Sequence, residues 1–402
     1  MAKKALPFNV HQAALARLEK VFTDFPRIYL SFSGGKDSTV LLHLAAAVAR
    51  KHGRRFGVLL VDLEGQYRAT LDHARASLAM YRDLIDPYWV CLPIALRNAV
   101  SVFAPKWLAW DPAQRERWVH TPPEFAITDS AFFPFFRPGM EFEEFVIDFG
   151  RWFAEGKLTA CLVAIRADES LNRYRAITSE RKSRFENLPW TTWKGGAVYN
   201  AYPIYDWRTE DVWVYHGKTG LPNNPLYDMM YLSGVPLHNM RICQPYGDDQ
   251  RKGLDQFHKL EPETWARVVA RVDGANYGAL YAHTCGNILG NIKQTKPADM
   301  TWQDYTLFLL ETLPPNSRAW FEDKFAVFLR WYELRGYPLG IPDEADPAEE
   351  AAKKTPSWRR LARCILKNDY WCKSLSFGMQ KSDAYEKYSK IMKKRREIWR
   401  II

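Results

Sequence analysis

Residues 27–33, RIYLSFS, form a short run of aromatic, aliphatic and β-branched side chains. The run stops at Gly34-Gly35, and residues 37–50 then read as a helix. A strand delivered through two glycines into a helix leaves few options for the chain around it. Glycine has no Cβ to clash in a tight turn, so successive backbone N–H groups can converge on one anion. The helix that follows adds its unpaired N–H groups and the positive end of its dipole. The chain around this junction alternates in the same way. Helices are expected over 10–24 and 67–84, and further strands over 56–62, 88–94, 159–166 and 197–204. Such alternation predicts parallel βαβ units in an α/β, doubly wound, mostly parallel sheet.

An aromatic-rich insertion, about 100–156, separates the third and fourth strands and contains Phe132, Phe133, Phe135 and Phe136. Insertions of this size are usually lids or substrate-facing elements. From residue 254 the pattern turns helical, with segments over 262–272, 302–313, 317–335, 357–367 and 382–399. The reading is an α/β domain over 1–253, a helical domain over 254–339, an acidic Ala/Pro-rich linker over 340–356 and a basic helical tail over 357–402.

At 402 residues the chain is too long for one small module. A hydrophobic share of 47% with 25% charged residues excludes a disordered or fibrous chain. Its longest apolar stretch, 41–49, is interrupted by His43 and is far shorter than the ~20 residues of a membrane span. No apolar run follows the two lysines near Met1, so a soluble protein without a signal peptide or membrane partner is expected. Six cysteines without a CxxC pair fit a reducing cytoplasm rather than a disulfide scaffold. No HxxxH or HExxH spacing occurs, so no zinc site is proposed.

The net charge of +10 is localised, because residues 351–402 hold 15 basic and 4 acidic residues. Arg359, Arg360, Arg363, Lys393, Lys394, Arg395 and Arg396 are interleaved with Trp358, Trp371 and Trp399. That mixture suits a DNA or RNA surface. It equally suits helices packed on a domain.

The junction itself reads Ser31-Phe-Ser33-Gly34-Gly35-Lys36-Asp37-Ser38. Ser33 and Ser38 bring hydroxyls, Lys36 a point charge, and the spacing is not that of a Walker A loop. SGGKDS between strand and helix resembles the PP-loop of the ATP pyrophosphatase superfamily, with its adenine nucleotide α-hydrolase-like fold. Three further elements resemble the phosphoadenosine phosphosulfate (PAPS) reductase branch. They are Val61-Asp62-Leu63-Glu64, the run from Ala164 through Arg166 and Ser170 to Arg173, and Tyr202-Pro-Ile-Tyr-Asp206-Trp207 with Leu226-Tyr227-Asp228. The whole pattern is nearest to PAPS-reductase-like proteins of the immunoglobulin-binding-regulator (IbrA-like) type, which commonly accompany a ParB/sulfiredoxin-like protein.

The resemblance implies an adenine nucleotide, ATP or PAPS, with Mg²⁺. Ser31, Ser33, Gly34, Gly35, Lys36, Asp37, Ser38, Asp62, Glu64, Arg166, Ser170 and Arg173 would bind it. By strand-end logic Asp62 or Glu64 faces the crevice at the carboxyl edge of the sheet. The terminal E-C-G-L-H motif of PAPS reductases is absent, and so are the paired cysteines of iron–sulfur APS reductases. Cys243, beside Arg241, remains the candidate thiolate, and Lys36, Asp37 and Cys243 are the candidate catalytic residues. An iron–sulfur cluster on Cys243, Cys285, Cys364 and Cys372 is disfavoured by their wide spacing. Two functions fit: an enzyme of α-phosphate adenylation or of sulfur or sulfonate transfer, with nucleic acid as one candidate substrate, or a non-catalytic nucleotide-sensing adaptor.

Overall fold

The computed structural model describes residues 7–98, 100–101, 104, 106–179, 182–242, 254–275, 295–351, 353–367, 369 and 372–375. They fall into two compact units, one of 1–96, 108–244 and 256–267, the other of 97–107, 245–255 and 268–402.

The first unit opens with α1 (Val10–Asp24), whose start is fixed by a reciprocal cap. Asn9 Oδ1 accepts the Gln12 N–H at 2.9 Å, and Gln12 Oε1 accepts the Asn9 N–H at 3.0 Å. Then follow β1 (Arg27–Ser31), α2 (Lys36–His52), β2 (Phe56–Val61), α3 (Arg68–Met80) and β3 (Ile85–Val90). After the insertion come α4 (Phe142–Ala154), β4 (Thr159–Leu162), α5 (Leu171–Thr178), β5 (Thr191–Gly195), β6 (Val198–Ala201), α6 (Thr209–Thr219) and α7 (Leu226–Leu232).

The six strands form one sheet in the order β3-β2-β1-β4-β6-β5. The first five run parallel, and β5 closes the edge antiparallel to β6. The chain thus builds outward from β1 in one direction, then returns to continue from β1 in the other. The crevice between the carboxyl ends of β1 and β4 is the switch point where such sheets bind ligands. β3 lies three residues before its expected position. Pro87 looks like a strand breaker, yet β3 is an edge strand, where proline is tolerated.

Strand alternation sends Tyr29 toward α4, where its ring meets Phe149 and Phe153 at 5.3 and 5.1 Å. Gly57 opposes Tyr29 in the register, and a Cβ there would stand 2.8 Å from the Phe153 ring. The insertion departs from a substrate-facing reading at its aromatic centre. Phe133 is fully buried against Phe145 and Trp152, at 5.6 and 4.9 Å, and so belongs to the core under α4.

Two helices, α8 (Leu254–Leu260) and α9 (Pro262–Arg271), follow. The second unit carries α10 (Trp302–Glu311), α11 (Pro315–Glu333), α12 (Pro347–Ala351) and α13 (Trp358–Leu366). Its core joins Leu310, Phe321, Phe325 and Phe328 to Leu361, Cys364 and Ile365. Residues 340–356, read from composition as a linker, are built into this unit. Asp343 accepts the N–H groups of Trp302 and Gln303 at 3.0 and 2.9 Å, capping α10, and Glu350 is buried. Among the described residues no helix is long and apolar enough to cross a membrane.

Candidate functional site

The loop after β1 is held from three sides. Gly34 adopts φ +70°, and a Cβ there would meet Thr70 Cγ2 at 2.9 Å, so both the backbone and the packing require glycine. Asn224, fully buried, donates from Nδ2 to the Gly34 carbonyl at 2.9 Å and to Thr70 Oγ1 at 3.0 Å. The Lys36 N–H donates to Tyr227 Oη at 3.0 Å, and Ser33 Oγ lies 3.0 Å from Ser38 Oγ. Asn224 and Tyr227 therefore position the loop.

Lys36 begins α2 and is buried. Its Nζ lies 3.2 Å from Asp37 Oδ2 and donates to the Met240 carbonyl at 3.4 Å. Arg166, just beyond β4, donates from Nε to Asp37 Oδ1 at 2.6 Å. Its side chain is 2% exposed, and its Nη1 is buried without a hydrogen-bond partner among the described residues. Lys36, Asp37 and Arg166 thus meet at the switch point, with two cations around one carboxylate. They stand beside a cavity of about 720 Å³ lined by Lys36 and Arg166 together with Asp168, Glu210, Trp213 and Arg241, among others. Buried donors on a cavity wall suit an oxyanion, because an unmet guanidinium N–H is costly.

Ser31 faces a separate cavity of about 200 Å³, shared with Tyr29, Cys161 and Asn200. Ser170 and Arg173 do not join the Lys36–Arg166 cavity. Ser170 Oγ accepts the Arg173 N–H at 3.3 Å, and Arg173 Nε pairs with Glu169 at 2.9 Å. Asp62 and Glu64 also depart from the expectation that one of them faces the crevice. Both are fully buried beneath the insertion. Asp62 accepts from Trp89 Nε1 and the Glu64 N–H at 3.0 Å each, and lies 3.3 Å from His120 Nε2. Glu64 accepts from the Trp110 N–H at 2.7 Å and the Val119 N–H at 3.3 Å. Burial alone would lower the His120 imidazole, but the Asp62 carboxylate outweighs it and holds the group above its ordinary value.

Burial pushes the Cys161 thiol up to about 12 and the Cys91 thiol well above the ordinary range, so neither is a ready thiolate. Cys243 and Cys285 lie outside the described residues. Cys364 and Cys372 are buried, and their thiols hydrogen-bond each other in the second unit. Among the described residues no group of three or more His, Cys, Asp or Glu forms a metal site.

Arg359, Arg360 and Arg363 of the basic tail are engaged within the second unit. Arg359 pairs with Glu344 at 2.6 Å and Glu350 at 2.9 Å, and Arg363 with Glu350 at 3.2 Å. Arg360 is buried and donates to the carbonyls of Thr355 and Ser374. These three are structural and do not form an open polyanion surface. Lys393, Lys394, Arg395 and Arg396 lie outside the described residues.

Residues 149–234 match the phosphoadenosine phosphosulfate reductase domain, while 234–341 and 337–386 match a domain of unknown function, DUF3440. A PAPS reductase from Candida auris, solved as a phosphate complex, is 14% identical with a TM-score of 0.33, covering 57% of this chain and 94% of that one. The NH3-dependent NAD synthetase of Campylobacter jejuni is 12% identical with a TM-score of 0.27, covering 72% and 98%. The uncharacterized protein YbdN of Escherichia coli (strain K12) is 42% identical over 403 residues, an alignment spanning 100% of this chain and 98% of YbdN. Beside the match of residues 149–234 to the PAPS reductase domain, a likeness of that depth over both whole chains places the protein in the family of YbdN.

Proposed function

We propose that the chain binds an adenine nucleotide with its phosphates on the Ser33–Ser38 loop and catalyses transfer at the α-phosphate. An acceptor attacks the α-phosphorus of ATP, the bond to the bridging oxygen breaks, and pyrophosphate leaves with the electron pair. One observation carries the reading: Arg166, buried and anchored by Asp37, lines the cavity together with Lys36, and its Nη1 has no hydrogen-bond partner among the described residues. The loop amides, Lys36 and Arg166 would offset charge growing on the departing pyrophosphate. Glu210 lines the same cavity and has no partner among the described residues, which fits a carboxylate that helps hold a phosphate-bound Mg²⁺. Mg²⁺, when bound there, supplies further neutralisation of the phosphates.

A second reading, sulfonate transfer from PAPS, is supported by the match of residues 149–234. It needs a thiolate that attacks sulfur while the S–O bond to the nucleotide phosphate breaks. No thiol among the described residues lines the cavity, and Cys243, the candidate thiolate of the sequence, would supply it. Pyrophosphate release from ATP, measured beside release of adenosine 3′,5′-bisphosphate from PAPS, tests the choice. Release of pyrophosphate supports the first reading, and release of the bisphosphate supports the second. Tight binding of either nucleotide without turnover would instead indicate a nucleotide sensor, acting with a partner of the ParB/sulfiredoxin-like kind.

A further inference from the structure

A second cavity lies at the carboxyl edge of the sheet, next to the first. It has a volume of about 770 Å³ and runs between the start of α1, the turn after β4, α5 and the turn after β6. Asp168 lines both cavities. The walls of the second are aromatic and acidic: Phe8, Tyr174 and Tyr205, with Asp168, Asp206 and Asp211, against Arg208 as the one cationic side chain among the described lining residues. Phe8 and Tyr174 are each 47% exposed, so large ring surfaces stand open on a concave wall.

The three carboxylates are not equivalent. Asp206 is taken by Arg17, whose Nη1 and Nη2 donate to its two oxygens at 2.7 Å each. Asp211 accepts the Arg208 N–H at 2.7 Å as a helix cap. Asp168 has no partner among the described residues. Arg17 also shows how this surface handles a cation, because its guanidinium lies 4.5 Å over the Tyr205 ring while forked onto Asp206. Planar cations favour such a combination of ring face and carboxylate. Tyr174 and Asp168 offer the same two components in the same cavity, without a cation of their own among the described residues.

We propose that this groove is the acceptor subsite and takes a small organic cation, a guanidinium or alkylammonium on an apolar stem. The charge sits at Asp168, on the side open to the nucleotide cavity, and the stem lies against Phe8 and Tyr174. The role as acceptor subsite rests on the nucleotide reading above; the binding of a cation does not.

Titration of the full chain with agmatine, which carries a guanidinium and an ammonium at the two ends of a four-carbon stem, tests the proposal against butylurea, an uncharged compound with a stem of the same length. Agmatine is expected to bind at least about tenfold more tightly than butylurea, and Asp168→Asn to remove about tenfold of that affinity. Tyr174→Ala, at a half-exposed ring, is expected to weaken agmatine roughly threefold or more and to leave ATP affinity unchanged. No agmatine binding, equal affinity for both compounds, or an unaffected Asp168→Asn variant would overturn the proposal. So would an Asp168→Asn variant that loses Mg²⁺-dependent ATP binding yet holds agmatine, since the carboxylate would then serve the nucleotide's metal. A wild-type chain that binds agmatine but neither ATP nor PAPS refutes the nucleotide reading and leaves the cation groove standing.

Discussion

Gly35 and Lys36 sit where the anion reading is most exposed to test. A Cβ on Gly35 would stand 3.3 Å from Tyr227 Oη, the group that accepts the Lys36 N–H, so Gly35→Ala disturbs the loop's own support. Lys36→Ala removes a buried cation from the cavity wall. Each is expected to weaken ATP by about tenfold or more in calorimetric titration, and unchanged affinity in both would dismiss the loop as a phosphate cradle. Three buried histidines lie behind that loop. His43 Nδ1 meets Tyr81 Oη at 2.7 Å, His73 Nε2 meets Thr39 Oγ1 at 2.9 Å, and His216 Nε2 lies 3.2 Å from the Lys36 carbonyl. Burial lowers all three, and with help from the charges of His43 and His216 it takes His73 down to about 4. Because the unfolded chain binds these protons first, stability is full above about pH 6.5 and falls as pH drops toward 4. Thermal melts at pH 7 and pH 5 should show the loss, and His73→Gln should flatten it. An equally steep curve in that variant would assign the acid sensitivity elsewhere.

Elements differ in how openly the sequence announces them. β1, its glycines and α2 are legible because apolar run, turn and helix start follow one another directly, and Arg166 is legible because it leaves a buried strand. β5 is not, since Thr191–Gly195 is short, polar and largely unburied, and only the Gly195-Gly196 turn marks its hairpin with β6. The fates of Asp62 and Glu64 depend on Trp110, Val119 and His120, residues 46 to 58 positions away, which no local pattern reports. Charge misleads in the same way around α13, where Arg359 and Arg363 look solvated but find Glu350, 9 and 13 residues upstream. Burial raises the Glu350 carboxyl, yet hydrogen bonds from Ser357 and Arg359 outweigh this and hold it below its ordinary value. Glu350→Gln leaves two arginines facing a neutral amide and is expected to destabilise the helical unit by about 3 kcal/mol. Denaturant unfolding followed by tryptophan fluorescence would measure this, and an unshifted midpoint would mean that Glu344 suffices.

Across the whole molecule, the packing of α13 determines which truncations inform. Removing 351–402 takes away Leu361, Cys364 and Ile365 along with the basic residues, so it is expected to expose the core of the helical unit and lower the melting temperature. Removing only 376–402 spares the described core and still deletes Lys393 to Arg396. If those residues bind nucleic acid, that shorter deletion should abolish a gel shift whose affinity in the full chain falls steeply with salt. Undiminished binding would place the polyanion contact elsewhere. The buried pair Asp62 and Glu64 has a different consequence, one for anyone who would trim this protein to a minimal α/β core. Excising the segment around Trp110 to His120 would take from the buried Glu64 carboxylate its Trp110 and Val119 donors, at several kcal/mol, and would leave Asp62 only Trp89 and the Glu64 N–H. A shortened version would therefore need Glu64 replaced by an apolar residue of similar volume, so the insertion and the turn after β2 can be redesigned only together.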